Sequence, residues 1–380
     1  MPNPLVLLCP GQGAQAVAMG RAWCEASPEA RAVFDLADRI LTGDAGVAGA
    51  SGSAIDHQWN ARVGAPLSTL CFEGPAETLN RTDVSQPAIF VTSVACWAGL
   101  AARWGVAPDI RASETPIVAA AGLSLGEYTA LLLAGAIGFE DALRLVALRG
   151  RAMQDAAEAV PSGMVALIGA DEASAQAVCD ATLSTAAAAG DADQVLVPAN
   201  FNAPGQIVIS GSKAACERAV AIAAEEGLRA TALPVAGAFH SPIMAPAAER
   251  LGAALAGTTI HAPACPVMSN VTARPHGRPH VTPHGTPHDT GGSGESAGAG
   301  AAGSGTMDPS AVADSIRRRL VEQLTSPVRW AEGCEWLVRE IVTTTPGVEL
   351  HELAPGKTLA GLMRRIDKSA KVASHDGPND

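Results

Sequence analysis

The stretch Gly122-Leu123-Ser124-Leu125-Gly126 constrains this chain more than any other. An apolar run, Pro116-Ile117-Val118-Ala119-Ala120-Ala121, leads into it, and a helix-favouring run, Tyr128-Thr129-Ala130-Leu131-Leu132-Leu133-Ala134, leads out. Gly-x-Ser-x-Gly between a buried strand and a helix is the pattern of a nucleophile elbow. Its glycines let the backbone turn sharply and pack closely, so the serine oxygen stands at the top of a sheet. The helix that follows aims backbone N–H groups at any oxyanion developing there. The same pentapeptide also serves as an ordinary glycine-flanked turn, and it is the two flanks that favour the elbow. The expectation is an α/β fold with Ser124 as a nucleophile.

Such a fold needs a large apolar interior. The chain has 380 residues, 48% of them hydrophobic, enough for one large core with a smaller attached unit. Aromatic residues are only 3%, so Ala, Val, Leu and Ile must build that core. The formal net charge of −12 argues against a nucleic-acid or anionic-membrane partner. The eight cysteines are scattered without a Cys-x-x-Cys pair, as reduced core thiols are, which points to a cytoplasmic protein. No positive charge precedes Arg21, so the start does not read as a signal peptide. Residues 116–139 are long enough to span a membrane with a single charge, Glu127, but the elbow within them marks a buried core instead.

In chain order, Leu5-Val6-Leu7-Leu8-Cys9 reads as a central parallel strand. The following turn, Pro10-Gly11-Gln12-Gly13-Ala14-Gln15, lacks the third glycine of a dinucleotide fingerprint and offers neutral glutamine donors instead. Residues 42–65 read as a surface loop. A helix is expected after Ser85-Gln86-Pro87, its stripe of Ile89, Phe90, Val94, Trp97 and Leu100 facing the core. On the next helix, Phe139 to about Ala157, Arg144 and Arg151 have acidic partners four residues away, at Glu140 and Asp155. Arg149 has only Leu145, Val146, Ala152 and Met153 at helical spacing. It either snorkels to solvent or takes an anion from elsewhere, a distant carboxylate of the protein or a ligand carboxylate or phosphate.

From Pro161 the pattern becomes β-α-β-β-α-β, the split arrangement of ferredoxin-like units. Residues 162–234 are therefore read as a small subdomain inserted into a large one made of 1–161 and 235–366. His240, flanked by small and apolar residues, is the first choice of base for Ser124. Pro266 to Asn270 reads as another strand. Residues 274–306 are low-complexity, with His276, His280, His284 and His288 at four-residue intervals. Their prolines forbid a continuous helix and hence one metal-binding face, so a disordered surface insertion is expected. Helices are expected at Asp308–Leu324, Val328–Glu340 and Thr358–Ile366, with a strand at Val348–Leu350. Residues 367–380 read as a disordered tail.

With these pieces placed, the chain resembles the malonyl-CoA:acyl-carrier-protein transacylases, the acyltransferases of fatty-acid and polyketide synthesis. Pro10-Gly11-Gln12-Gly13, Ser85-Gln86-Pro87-Ala88, the elbow with Glu127-Tyr128, and Arg149-Gly150 carry the likeness. So do Asn200-Phe201-Asn202-Ala203-Pro204-Gly205-Gln206, Gly237-Ala238-Phe239-His240-Ser241-Pro242 and Leu353-Ala354-Pro355-Gly356-Lys357. The resemblance implies an α/β-hydrolase-like large subdomain with the ferredoxin-like one inserted. It implies Ser124 as nucleophile, His240 as base, and Gln12 with the Leu125 N–H as oxyanion hole. Arg149 would clamp the malonyl carboxylate, with Phe239 and Asn200 as further substrate-binding residues. The histidine would be oriented by a main-chain carbonyl within Ser326-Pro327-Val328-Arg329. The implied partners are malonyl-CoA and acyl carrier protein, with no metal and no cofactor beyond the thioester substrate. The alternatives are a polyketide pathway, or a thioesterase on the same elbow, which requires an acid between serine and histidine. The family usually has His where this chain has Leu123.

Overall fold

The computed structural model describes residues 3–43, 59–112, 116–277 and 308–380. Its first sheet is parallel throughout and has the order β2-β1-β7-β8, with β1 at Leu5–Cys9, β2 at Ile117–Gly122, β7 at Glu349–Leu353 and β8 at Val372–His375. The apolar run of β1 is continuous because both of its faces are covered. Leu5, Leu7 and Cys9 join a core containing residues of helices Thr82–Trp104 and Phe139–Ala159. Val6 and Leu8, pointing the other way, join a second core with Trp330, Leu337, Leu359 and Leu362. Cys9 pairs with Gly122, so β1 and β2 end level and the loop carrying Gln12 lies beside the elbow.

The second sheet is antiparallel, with order β4-β5-β3-β6: β3 is Ser162–Ile168, β4 Leu196–Ala203, β5 Gln206–Ser212 and β6 Arg229–Ala232. Helices Glu172–Ala188 and Lys213–Glu225 complete the β-α-β-β-α-β order and pack with these strands in a core of their own. The antiparallel sheet is stitched to the large unit at Val328, a residue of neither sheet. Val328 N–H donates to Ala199 O (2.8 Å) and Phe201 N–H to Val328 O (2.9 Å).

Several expectations are corrected. The helix expected after Pro87 begins at Thr82 and contains that proline; burial of the whole segment outweighs the lost backbone bond. Among the described residues this is the one helix long and apolar enough to cross a membrane, and 94% of its most apolar window is buried inside the protein. Within the loop read at 42–65, residues 59–63 form a short helix that buries Trp59; residues 44–58 lie outside the described residues. Pro266–Asn270 forms no ladder, only single bridges from Val267 to Ala120 and from Met268 to Pro275.

The largest correction is at the C-terminus. Residues 367–380 are not a disordered tail: β8 pairs in parallel with β7, from Leu350 opposite Val372 to Leu353 opposite His375. The strand is too short and polar to show an apolar run, and main-chain bonds and buried histidines hold it instead. His276, expected in the disordered insertion, is buried, and its N–H donates to Val267 O (2.9 Å). Residues 278–306 of that insertion, with His280, His284 and His288, lie outside the described residues.

Candidate active site

The strand β2 ends at Gly122 and a helix begins at Gly126, with Ser124 between them in the left-handed region at φ 52°. Such a φ costs a serine about 1 kcal/mol or more, so the surroundings must enforce it. A Cβ on Gly122 would lie 1.9 Å from the carbonyl carbon of Gly126, and one on Gly126 would lie 2.1 Å from Cys9 O. Only glycine fits either place. Asn270 and Gln323 then clamp the serine backbone: Ser124 N–H donates to Asn270 Oδ1 (2.7 Å), and Gln323 Nε2 donates to Ser124 O (3.1 Å).

The serine oxygen has two neighbours, His240 Nε2 at 2.9 Å and Arg149 Nη2, which donates to it, at 3.0 Å. His240 is buried and also holds a left-handed backbone, φ 58°. Its Nδ1 lies 2.7 Å from Gln323 O. A carbonyl only accepts, so Nδ1 carries the proton and Nε2 is free to take one from Ser124. Burial pushes the imidazole down to about 4, and the Arg149 charge adds to this against the opposing Gln323 carbonyl. The base is therefore neutral at pH 7.

The orienting carbonyl is Gln323, not one of residues 326–329 as the resemblance implies. Nor is its side chain idle. Gln323 Oε1 accepts from Arg149 Nη2 (2.9 Å), and its Nε2 donates to Glu127 Oε2 (2.7 Å) as well as to Ser124 O. Gln323 caps the C-terminus of helix Pro309–Glu322 with nothing local to distinguish it, and only tertiary contact identifies it.

Arg149 is 1% exposed. Its Nη1 donates to Gln86 Oε1 (2.7 Å), and its guanidinium lies over the Tyr128 ring, 5.6 Å from the centroid. Its Nε has no partner, and among the described residues no carboxylate comes within ion-pair distance of it. Burial lowers its pKa, and Tyr128 and Glu127 push the other way. The anion its helical neighbours fail to provide is not supplied by a distant side chain either.

Gln12 is half-buried and reaches the same cluster through Gln86, whose Nε2 donates to Gln12 Oε1 at 3.4 Å. Leu125, fully buried, places its N–H directly after the serine. Leu123 donates its N–H to Cys9 O (3.1 Å), and its side chain packs on the second core beside Val6 and Leu8. Nothing in the structure explains why leucine stands where the family usually has histidine. Phe239 is buried beside His240. Asn200 stands apart on β4, opposite Val328, and no hydrogen bond joins its side chain to Ser124, His240 or Arg149. Asp155 pairs with Arg151 and Arg250, Asp171 caps a helix, and Asp180 accepts from Gln176. None of them, nor Asp141, is bonded to His240, whose Nδ1 is taken by Gln323 O, the place a hydrolase triad gives to an acid.

Among the described residues no group of three His, Cys, Asp or Glu side chains is arranged to hold a metal ion. The chain matches the acyl transferase domain family over residues 6–284. It belongs to that family. The malonyl CoA-acyl carrier protein transacylase of Escherichia coli K12 is 38% identical over 325 residues, covering 84% of this chain and 86% of that protein. A crystal structure of malonyl-CoA:acyl carrier protein transacylase from Xanthomonas oryzae is 36% identical with a TM-score of 0.73, covering 100% of this chain and 97% of that one. A malonyl-transacylase solved in complex with its type II polyketide acyl-carrier protein is 32% identical, also with TM-score 0.73, covering 99% and 97%. In this acyl transferase, then, the histidine–carbonyl dyad and the buried arginine sit in a family fold shared along nearly the whole chain.

Proposed function

We propose that this chain transfers the malonyl group from malonyl-CoA to the phosphopantetheine thiol of an acyl carrier protein in fatty-acid biosynthesis, through a malonyl-Ser124 intermediate. His240 Nε2 takes the proton of Ser124 as its oxygen attacks the thioester carbonyl. Gln12 and the Leu125 N–H receive the oxyanion. Coenzyme A leaves with the proton from His240. The carrier thiol then gives its proton to the same nitrogen as it attacks the acyl-serine, and Ser124 regains its hydrogen. No redox step or electrophilic metal enters this sequence; one thioester is exchanged for another through the serine ester.

The single observation that carries the substrate assignment is Arg149, a buried guanidinium 3.0 Å from the nucleophile with no carboxylate of the described residues paired to it. A malonyl carboxylate completes its pairing, whereas an acetyl group leaves it unpaired at a cost of about 3 kcal/mol. In this reading Phe239 crowds an α-methyl branch, and Asn200 is a further substrate-binding residue. Transfer is favoured over hydrolysis in this reading because the acyl group is held by a charge buried away from water.

Mixing the protein with malonyl-CoA, acetyl-CoA and methylmalonyl-CoA together, then weighing the intact protein, tests this. The expected product is one malonyl adduct, on Ser124, discharged by holo carrier protein. An acetyl adduct in its place, or release of free malonate at the rate of transfer, overturns the assignment.

A further inference from the structure

Glu127, in the first turn of the elbow helix, is fully buried and is used by no step above. Its carboxylate accepts three hydrogen bonds: Asn270 N–H (3.0 Å) and Gln323 Nε2 (2.7 Å) on Oε2, and His276 Nε2 (2.8 Å) on Oε1. Asn270 and Gln323 are the two amides that clamp Ser124. Asn270 Nδ2 donates to Gly122 O (2.7 Å) while its Oδ1 takes the Ser124 N–H.

The chemistry of Gln323 makes this arrangement directional. A primary amide fits its cavity either way round, with its oxygen or its nitrogen toward Arg149. A carboxylate accepts and does not donate, so Glu127 draws Nε2 to itself and turns Oε1 toward Arg149. With the amide reversed, two donors would face each other at Arg149, and Ser124 O would lose its donor. We propose that Glu127, held by His276, is a positioning residue that fixes the sense of the Gln323 amide, and through it the Ser124 backbone and the Arg149 guanidinium. The neutral amide also keeps the carboxylate off Arg149, leaving the arginine's charge for the acyl group. This last consequence rests on the malonyl reading above.

His276 supplies the means of testing it. Its Nε2 donates to Glu127, and its buried Nδ1 has no partner. In Glu127→Gln the new amide can keep its oxygen toward Asn270 and Gln323 and turn its NH2 toward His276. The imidazole then shifts its proton to Nδ1 and accepts at Nε2. In Glu127→Leu the strongest orienting contact of Gln323 is gone, and only Arg149 Nη2 and Ser124 O remain to set its sense.

The experiment measures malonyl and acetyl transfer by the whole protein and by Glu127→Leu, Glu127→Gln, and Glu127→Gln combined with His276→Leu. Glu127→Leu is expected to lower malonyl kcat/KM about 100-fold and the malonyl-over-acetyl ratio about ten-fold. Glu127→Gln restores most of both, and the double variant loses that rescue. A general loosening of the fold lowers both substrates together and leaves the ratio alone. An unchanged ratio in Glu127→Leu, or a Glu127→Gln no better than Glu127→Leu, overturns the proposal. If Glu127→Leu does not fold, the comparison of Glu127→Gln with its double variant decides, and equal activity there overturns it. Failure of the unaltered protein to accept malonyl-CoA would instead refute the function and leave the positioning role to be read on whichever acyl group it does accept.

Discussion

At the scale of single residues, the site works through charges held where water cannot screen them. His240 is depressed to about 4 by burial and by Arg149, so it stays an unprotonated base well below the range in which a free histidine titrates. Acylation of Ser124 by a neutral sulfonyl fluoride, which carries no titrating group of its own, should therefore hold its rate from pH 7 to pH 6 and fall near pH 4. An acid limb centred on the ordinary histidine pKa, about 6.5, would show that the imidazole is not buried as described. Arg149→Ala should lower malonyl kcat/KM by about 100-fold or more, the cost of one charge-assisted contact, while acetyl transfer falls far less. Parallel losses for both substrates would remove Arg149 from the discrimination. Ser124, His240 and Arg149 were legible in the sequence because each violates a local expectation: a serine in a glycine turn, a histidine among small residues, an arginine on an apolar stripe. Gln323, Asn270 and Gln86 were not, because an uncharged amide on a helix or loop breaks no pattern until tertiary contact gives it a partner.

At the scale of elements, the elbow is a place where two backbones meet without side chains between them. Cys9 O and the Gly126 backbone occupy the space that a methyl group on Gly126 or Gly122 would need. Gly126→Ala should consequently cost several kcal/mol, about 3 or more, read as a fall in denaturant midpoint, and should displace Ser124 enough to abolish acylation in whatever protein still folds. Retention of full acylation would mean the strand-to-helix turn has more slack than its geometry suggests. The parallel strands were readable because both faces of β1 are covered, which leaves an unbroken apolar run. The strand β8 was not, since Val372-Ala373-Ser374-His375 has neither alternation nor a run. Its place is set by bonds from far along the chain: His375 O accepts from Trp23 Nε1 (3.1 Å) and Cys96 Sγ (3.5 Å). Residues 266–270 illustrate the reverse error, an apolar stretch that runs beside β2 yet turns away after one bridge to place Asn270 at the elbow.

At the scale of the whole molecule, β8 closes the sheet edge with a pair of stacked, buried imidazoles. His351 Nδ1 lies 2.8 Å from His375 Nε2, and His351 Nε2 lies 3.3 Å from Glu349 Oε2. Burial lowers the pKa of both, that of His375 to about 4 with His351 beside it contributing. A histidine depressed in the folded state binds fewer protons there than in the unfolded chain. Its contribution to stability is complete above about 6.5 and is eroded as pH falls toward the folded value. The thermal midpoint should thus decline between pH 6.5 and pH 4, and removal of residues 368–380 should lower the midpoint at pH 7 while flattening that decline. A truncated protein as stable as the full chain would return the segment to the status of a tail.

The stitch at Val328 has a mechanical meaning. Ala199 and Phe201 of the antiparallel sheet grip Val328, the next residue's N–H donates to Asn270 O (2.9 Å), and Asn270 Oδ1 holds the Ser124 N–H. A short covalent and hydrogen-bonded chain therefore runs from one sheet to the nucleophile of the other. A displacement of β4 thus reaches Ser124 through only Val328, Arg329 and Asn270, so the nucleophile's backbone is set by the small unit as well as by the large one.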